Sequence, residues 1–119
     1  MTKTIPHVIG FAGPLPQAER FLPAPDRLIS GHPAQTLHNL FTSADGRFNS
    51  GIWECEPGAW RVIFSESEFC HLIEGEIIVS GDDGSERTFR AGDGFVSPAG
   101  FTGVWNVTKR TKKYYAMYE

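Results

Sequence analysis

The chain has 119 residues, 40% hydrophobic and 13% aromatic, with 11 Lys and Arg against 14 Asp and Glu for a formal net charge of −3. One domain of this length can bury a core without disulfides or a structural metal. A mildly acidic chain lacking a Lys/Arg cluster excludes nucleic acid as the main partner. The N-terminal "MTKTIPHVIGFAGPLP" carries one Lys and a short apolar run broken by Gly and Pro. It fits neither a signal peptide nor a membrane span, so a cytoplasmic protein with no membrane partner is expected. Cys55 and Cys70 are then expected to stay reduced, and without C-x-x-C or spaced Cys/His pairs a zinc finger is excluded.

Residues 1–47 contain six of the eight prolines. Those at 14, 16, 23, 25 and 33 leave no room for a helix of more than about two turns. Phe21, Leu22, Leu28, Ile29, Leu37, Leu40 and Phe41 are too apolar a set for a disordered tail. An ordered arm of short strands or turns is expected over 1–47, packed on the main domain or on a partner subunit. Residues 48–119 then read as short strands between turn signals. "FNSGIWEC" (48–55) stops at Pro57-Gly58, and "AWRVIFS" (59–65) follows. "EFCHLIEG" (68–75) and "EIIVS" (76–80) lead to "GDDG" (81–84), a hairpin-turn composition. "ERTFR" (86–90), "GFVSP" (94–98), "GFTGVWNV" (100–107) and "KKYYAMYE" (112–119) complete the set. The basic run "KRTKK" (109–113), interrupted by Thr111, reads as an alternating strand on a solvated edge. Eight short strands with Gly/Pro turns predict an all-β, jelly-roll sandwich or barrel.

The stretch "SESEFCHLIEGE" (65–76) crowds Glu, Cys and His into one strand. Glu68 is followed by Gly75, and Gly92-Asp93 by Pro98-Ala99-Gly100. These spacings resemble the two motifs of the cupin superfamily, small jelly-roll barrels that hold a metal or ligand inside. "GIWECEPGAWRV", "EFCHLIEGE", "AGDGFVSPAGFTGVWNV" and "KKYYAMY" further resemble short cupins related to the ureidoglycine aminohydrolase cupin domain. The resemblance implies the barrel fold over 48–119. It also implies a metal held by paired histidines before the glutamate and a third histidine after the Pro-x-Gly. Counting back from Glu68 puts the pair at Val62 and Phe64, or at Arg61 and Ile63; counting on from Gly100 reaches Gly103. None is a histidine. One carboxylate cannot strip a divalent ion of its water, so no metal and no other cofactor is expected.

Strand alternation sets Glu68, Cys70 and Leu72 on one face and Phe69, His71 and Ile73 on the other. With Glu68 inward, His71 points out, where Phe69 and Ile73 would suit a homodimer contact. If Gly103 faces inward, so does Trp105, giving an aromatic wall for a small organic ligand. Glu68 is the candidate catalytic acid or base, since a carboxyl in an apolar barrel has a raised pKa. The alternative is a structural carboxylate paired with Arg61 or with a hydroxyl of Tyr114, Tyr115 or Tyr118. Trp53, Arg61, Glu68, Cys70, Trp105 and Tyr115 are the candidate ligand-binding residues. Three readings follow: a metal-free small-molecule-binding barrel, which the thin catalytic equipment favours; an enzyme on a small polar or nitrogen-containing metabolite using Glu68; and a metal cupin with atypical ligands drawn from Glu68, His71 and the arm.

Overall fold

Buried and exposed positions alternate along most of this chain, and that period of two builds sheets. The structure, a computed structural model describing residues 4–119, contains nine strands and no helix among the described residues. They are β1 (Glu19–Phe21), β2 (Leu28–Gly31), β3 (Gln35–Thr42), β4 (Phe48–Cys55), β5 (Gly58–Ile63), β6 (Ser67–Gly81), β7 (Glu86–Arg90), β8 (Gly94–Ser97) and β9 (Thr102–Tyr118). All pairings are antiparallel, and the expected all-β jelly-roll architecture is what the chain adopts.

The long strands β6 and β9 form the spine, paired from Ser67↔Tyr118 to Gly81↔Gly103. Their first and second halves serve different layers. One layer runs β1-β3-β4, the C-terminal half of β9, the N-terminal half of β6, then β8; the other runs β2-β5, the remaining half of β9, the remaining half of β6, then β7. The sequence reading had split each spine strand in two, at 75/76 and between 107 and 112. The chain bends at those places and does not turn. Gly75 lies at the bend with φ +95°, where an added Cβ would collide with the Arg110 carbonyl oxygen. Register shifts between Leu72 and Ile77 absorb the curvature, so the strand continues through what its Gly had marked as a stop.

From residue 19 the Pro-rich arm is woven into the barrel. β3 pairs with β4 from Gln35↔Cys55 to Thr42↔Asn49, and β2 pairs with β5, so no boundary falls at residue 47. Ahead of this, Phe11 meets Tyr114 edge-on at 4.9 Å, and His38 Nδ1 lies 3.0 Å from the Pro16 carbonyl oxygen. Between the layers lie Trp53, Cys55, Trp60, Val62, Cys70, Leu72, Ile77, Phe89, Trp105, Val107 and Tyr115, a single core drawn from β4, β5, β6, β7 and β9.

Candidate functional site

The site begins with parity on β9. Gly103, Trp105, Val107, Thr111, Lys113 and Tyr115 are the buried positions, all odd-numbered, while Thr108, Lys109 and Arg110 are exposed. A strand with this alternation must aim Lys113 into the barrel. The "KRTKK" run is thus no solvated edge, because β9 is flanked by β4 and β5 on one side and by β6 on the other. Lys113 is 2% exposed and among the largest fully buried side chains.

A buried ammonium needs partners. Its Nζ donates to Glu68 Oε2 at 2.9 Å and to Cys70 Sγ at 3.2 Å. The same nitrogen lies 4.5 Å from the Trp53 ring centroid and 4.2 Å from that of Trp105, inside cation–π range of both. The three tryptophans contact one another, with centroids 5.9 Å apart for Trp53 and Trp105, 6.3 Å for Trp60 and Trp105, and 6.4 Å for Trp53 and Trp60. Gln35 Oε1 accepts the Trp53 indole N–H at 2.8 Å, and the Tyr115 hydroxyl donates to Asn39 Oδ1 at 2.8 Å. The Trp105 indole N–H is buried and has no partner among the described residues.

Beside this cluster lies an aromatic inner chamber of about 210 Å³, walled by Trp53, Trp60, Phe64, Trp105, Tyr115 and Met117, with Glu68 and Lys113 in its lining. An outer compartment of about 370 Å³ adjoins it, and the two share Phe21, Gln35, Trp60, Val62, Phe64 and Glu68. They are adjoining pockets with a common wall. Among the described residues, charged residues other than the Lys113–Glu68 pair line only the outer compartment: Arg27, Glu66, and Arg61, whose guanidinium is turned away to Asp82.

Electrostatics follow from burial. Burial works against the Lys113 ammonium, but its pKa still stands above the ordinary lysine value, because the neighbouring Cys70 sulfur and Glu68 carboxylate favour the charged form. Burial pushes the Cys70 thiol up to about 12, and Cys55 likewise, so both are neutral thiols at neutral pH. With Cys70 neutral, the Glu68 carboxylate is what holds the proton on Lys113. The Tyr115 hydroxyl is pushed up to about 12, again chiefly by burial. At the rim, burial together with the Glu119 and Glu68 carboxylates raises Glu66. No group in the chamber is therefore an activated nucleophile at neutral pH.

Most of the residues nominated from sequence meet here. Trp53, Glu68, Trp105 and Tyr115 line the inner chamber, and Cys70, fully buried, backs Lys113. Arg61 does not join them. It belongs to the outer face, where both guanidinium Nη atoms donate to Asp82, at 2.9 and 2.8 Å, and hold that carboxyl well below the usual range. Glu68 takes Lys113 as its partner and neither Arg61 nor a tyrosine. His71 lies on the opposite face from Glu68, near Tyr114 at 6.5 Å between ring centroids. Lys113, Trp60, Phe64 and Gln35 were missed. The parity that joins Trp105 to Lys113 was readable in "WNVTKRTKKYY", but the composition of "KRTKK" pointed the other way.

A barrel of this kind implies a metal, and the residues do not fit one. Of the two candidate histidine pairs, Val62 and Phe64 are the ones that line the chamber, and both are apolar. At Gly103 an added Cβ would collide with the Ser80 carbonyl oxygen, so that position has no room for a third ligand. Among the described residues no three His, Cys, Asp or Glu side chains converge to hold an ion. The remaining carboxylate already binds an ammonium 2.9 Å away, which would repel a second cation.

An antiparallel jelly-roll curled around an internal cavity, with the motif glutamate facing that cavity, defines a cupin. Residues 42–115 match the EutQ-like cupin domain, and the chain belongs to that family. A solved protein of unknown function from the DUF861 family of Pseudomonas syringae pv. tomato is 28% identical, with TM-score 0.78 over 87% of this chain and 45% of its own. A DUF861 protein of Thermotoga maritima is 30% identical, with TM-score 0.53 over 54% of this chain and 73% of its own. The EutQ protein of Clostridium difficile is 20% identical, with TM-score 0.65 over 72% of this chain and 63% of its own, and shares the fold. The chain therefore spans less than half of the Pseudomonas protein. No curated protein matches the sequence.

Proposed function

We propose that this chain is a small-molecule-binding cupin in which Lys113 replaces the barrel metal as the resident cation. The observation that carries the reading is the ammonium buried against Glu68 and between two tryptophan faces, at the edge of an open aromatic chamber. The pair is electrically neutral as a unit, so it anchors the chamber wall without requiring an exogenous ion. Aromatic walls with a few fixed polar groups are the usual make-up of a small-molecule pocket. Glu68 is tied to Lys113 and Cys70 is a neutral thiol, which favours binding over acid–base or nucleophilic chemistry. The narrower resemblance to the ureidoglycine aminohydrolase cupins contributes no activity, because the metal-ligating histidines which that resemblance implies are replaced by Val62, Phe64 and Gly103.

The test combines metal analysis with a fragment screen followed by tryptophan fluorescence, since three indoles border the site. Wild-type protein is expected to carry no stoichiometric transition metal after incubation with Mn, Fe, Ni or Zn, and to shift its emission when a fragment enters the chamber. A stoichiometric metal whose binding is lost in Glu68→Gln would overturn the reading.

A further inference from the structure

We infer that the chamber selects an uncharged, planar molecule bearing an amide or lactam edge; this rests on the small-molecule reading above. Charge is decided first. Lys113 and Glu68 cancel, and every other group in the inner wall is neutral, so a net charge brought against that wall would find no free counter-charge. Arg27 and Glu66 line the outer compartment only, and the Arg61 guanidinium is held on the outer face by Asp82, so none of the three belongs to the inner wall.

Hydrogen bonding is decided next. Glu68 spends Oε2 on Lys113, and apart from the adjacent Cys70 thiol no side chain or backbone group among the described residues donates to its carboxylate. Gln35 spends Oε1 on the Trp53 indole and leaves its NH2 without an acceptor among the described residues. Both residues lie in the wall common to the two compartments, which therefore offers one acceptor and one donor. The Trp105 N–H belongs to the same wall but is covered by neighbouring atoms, so it offers a ligand no donor. A ligand that answers this set must donate to Glu68 and accept from Gln35. A carboxylate has nothing to donate and meets the free oxygen of Glu68 with like charge. A protonated amine has nothing to accept with. An amide or lactam supplies both on one edge.

Shape is decided by the walls. Trp53, Trp60 and Trp105 lie within 6.4 Å of one another between centroids, and Phe64 is 5.4 Å from Trp105. Flat surfaces of this kind favour a flat guest. The 210 Å³ inside is about seven water volumes, room for one small ring.

The experiment is a matched-pair titration of the whole chain with benzamide against benzoate and nicotinamide against nicotinate, followed by tryptophan fluorescence and saturation-transfer NMR. Both amides are expected to bind, and each acid to bind at least about tenfold more weakly. Gln35→Met should weaken the amides about fivefold or more while leaving the weak acids unchanged; circular dichroism confirms that the variant is folded. If it is not, the matched pairs on wild type decide alone. Acids binding as well as their amides would overturn the ligand class. So would a barrel that ignores all four compounds yet takes up another fragment, while the small-molecule reading stands. A barrel that takes up no fragment of any class overturns both.

Discussion

Replacing Lys113 by Met keeps much of the side chain's volume and removes only its charge. What remains is a Glu68 carboxylate 6% exposed, whose partner at 2.9 Å has gone. Breaking one side of a buried pair costs about 3–5 kcal/mol, because the remaining charge is desolvated without compensation. Two cation–π contacts vanish as well, at 4.5 and 4.2 Å, worth about 0.5–2 kcal/mol each. Against a domain stability of about 5–15 kcal/mol, the variant should fold but unfold at much lower denaturant. Adding Glu68→Gln removes the stranded charge, so the double variant should recover most of the loss. Urea unfolding at pH 7.5, followed by circular dichroism, gives the three differences from wild type. A double-mutant cycle should return a coupling of about 3 kcal/mol or more. A cost below about 1 kcal/mol for Lys113→Met, with additive single variants, would refute the buried pair and the function built on it.

Alkaline pH should destabilise the fold. Cys55 and Cys70 have folded pKa values raised from 9.0 to about 12, so their contribution is complete below pH 9 and is lost as pH climbs toward 12. At pH 10.5 the loss is about 2 kcal/mol per thiol; a flat urea-unfolding profile from pH 8 to 10.5 would contradict it, and a Cys55→Ala/Cys70→Ala variant should flatten the slope. Gly75→Ala should cost more than about 3 kcal/mol, since the positive-φ penalty of about 1–2 kcal/mol is joined by a backbone collision. Gly84→Ala, at φ +88° but facing open space, should show the first penalty alone by the same measurement. Phe69 and Val96 are cross-strand partners on the outer face, 48% and 59% exposed. A dimer that covers them should weigh twice 13.2 kDa by light scattering, and Phe69→Asp should return it to the monomer. A monomeric wild type would dismiss that interface.

The sequence by itself determined the class of fold. Gly and Pro turns at fixed intervals, with a period-two pattern between them, admit little besides an antiparallel barrel. Alternation about Glu68 put Cys70 and Leu72 inward and Phe69 and His71 outward, and the structure has them there. It also fixed what the barrel lacks, since no conformation supplies imidazoles to Val62, Phe64 and Gly103. Tertiary structure decided the rest. Whether Gly75 ends a strand or bends one depends on the β9 backbone passing beneath it. Whether a lysine in "KRTKK" is solvated depends on how many strands flank β9, and no local pattern reports that number. A glutamate, a cysteine and two tryptophans from β4, β6 and β9 lie far apart along the chain. Only the closing of the two layers brings them around one ammonium, and burial in that closed space turns an ordinary surface residue type into the centre of the site.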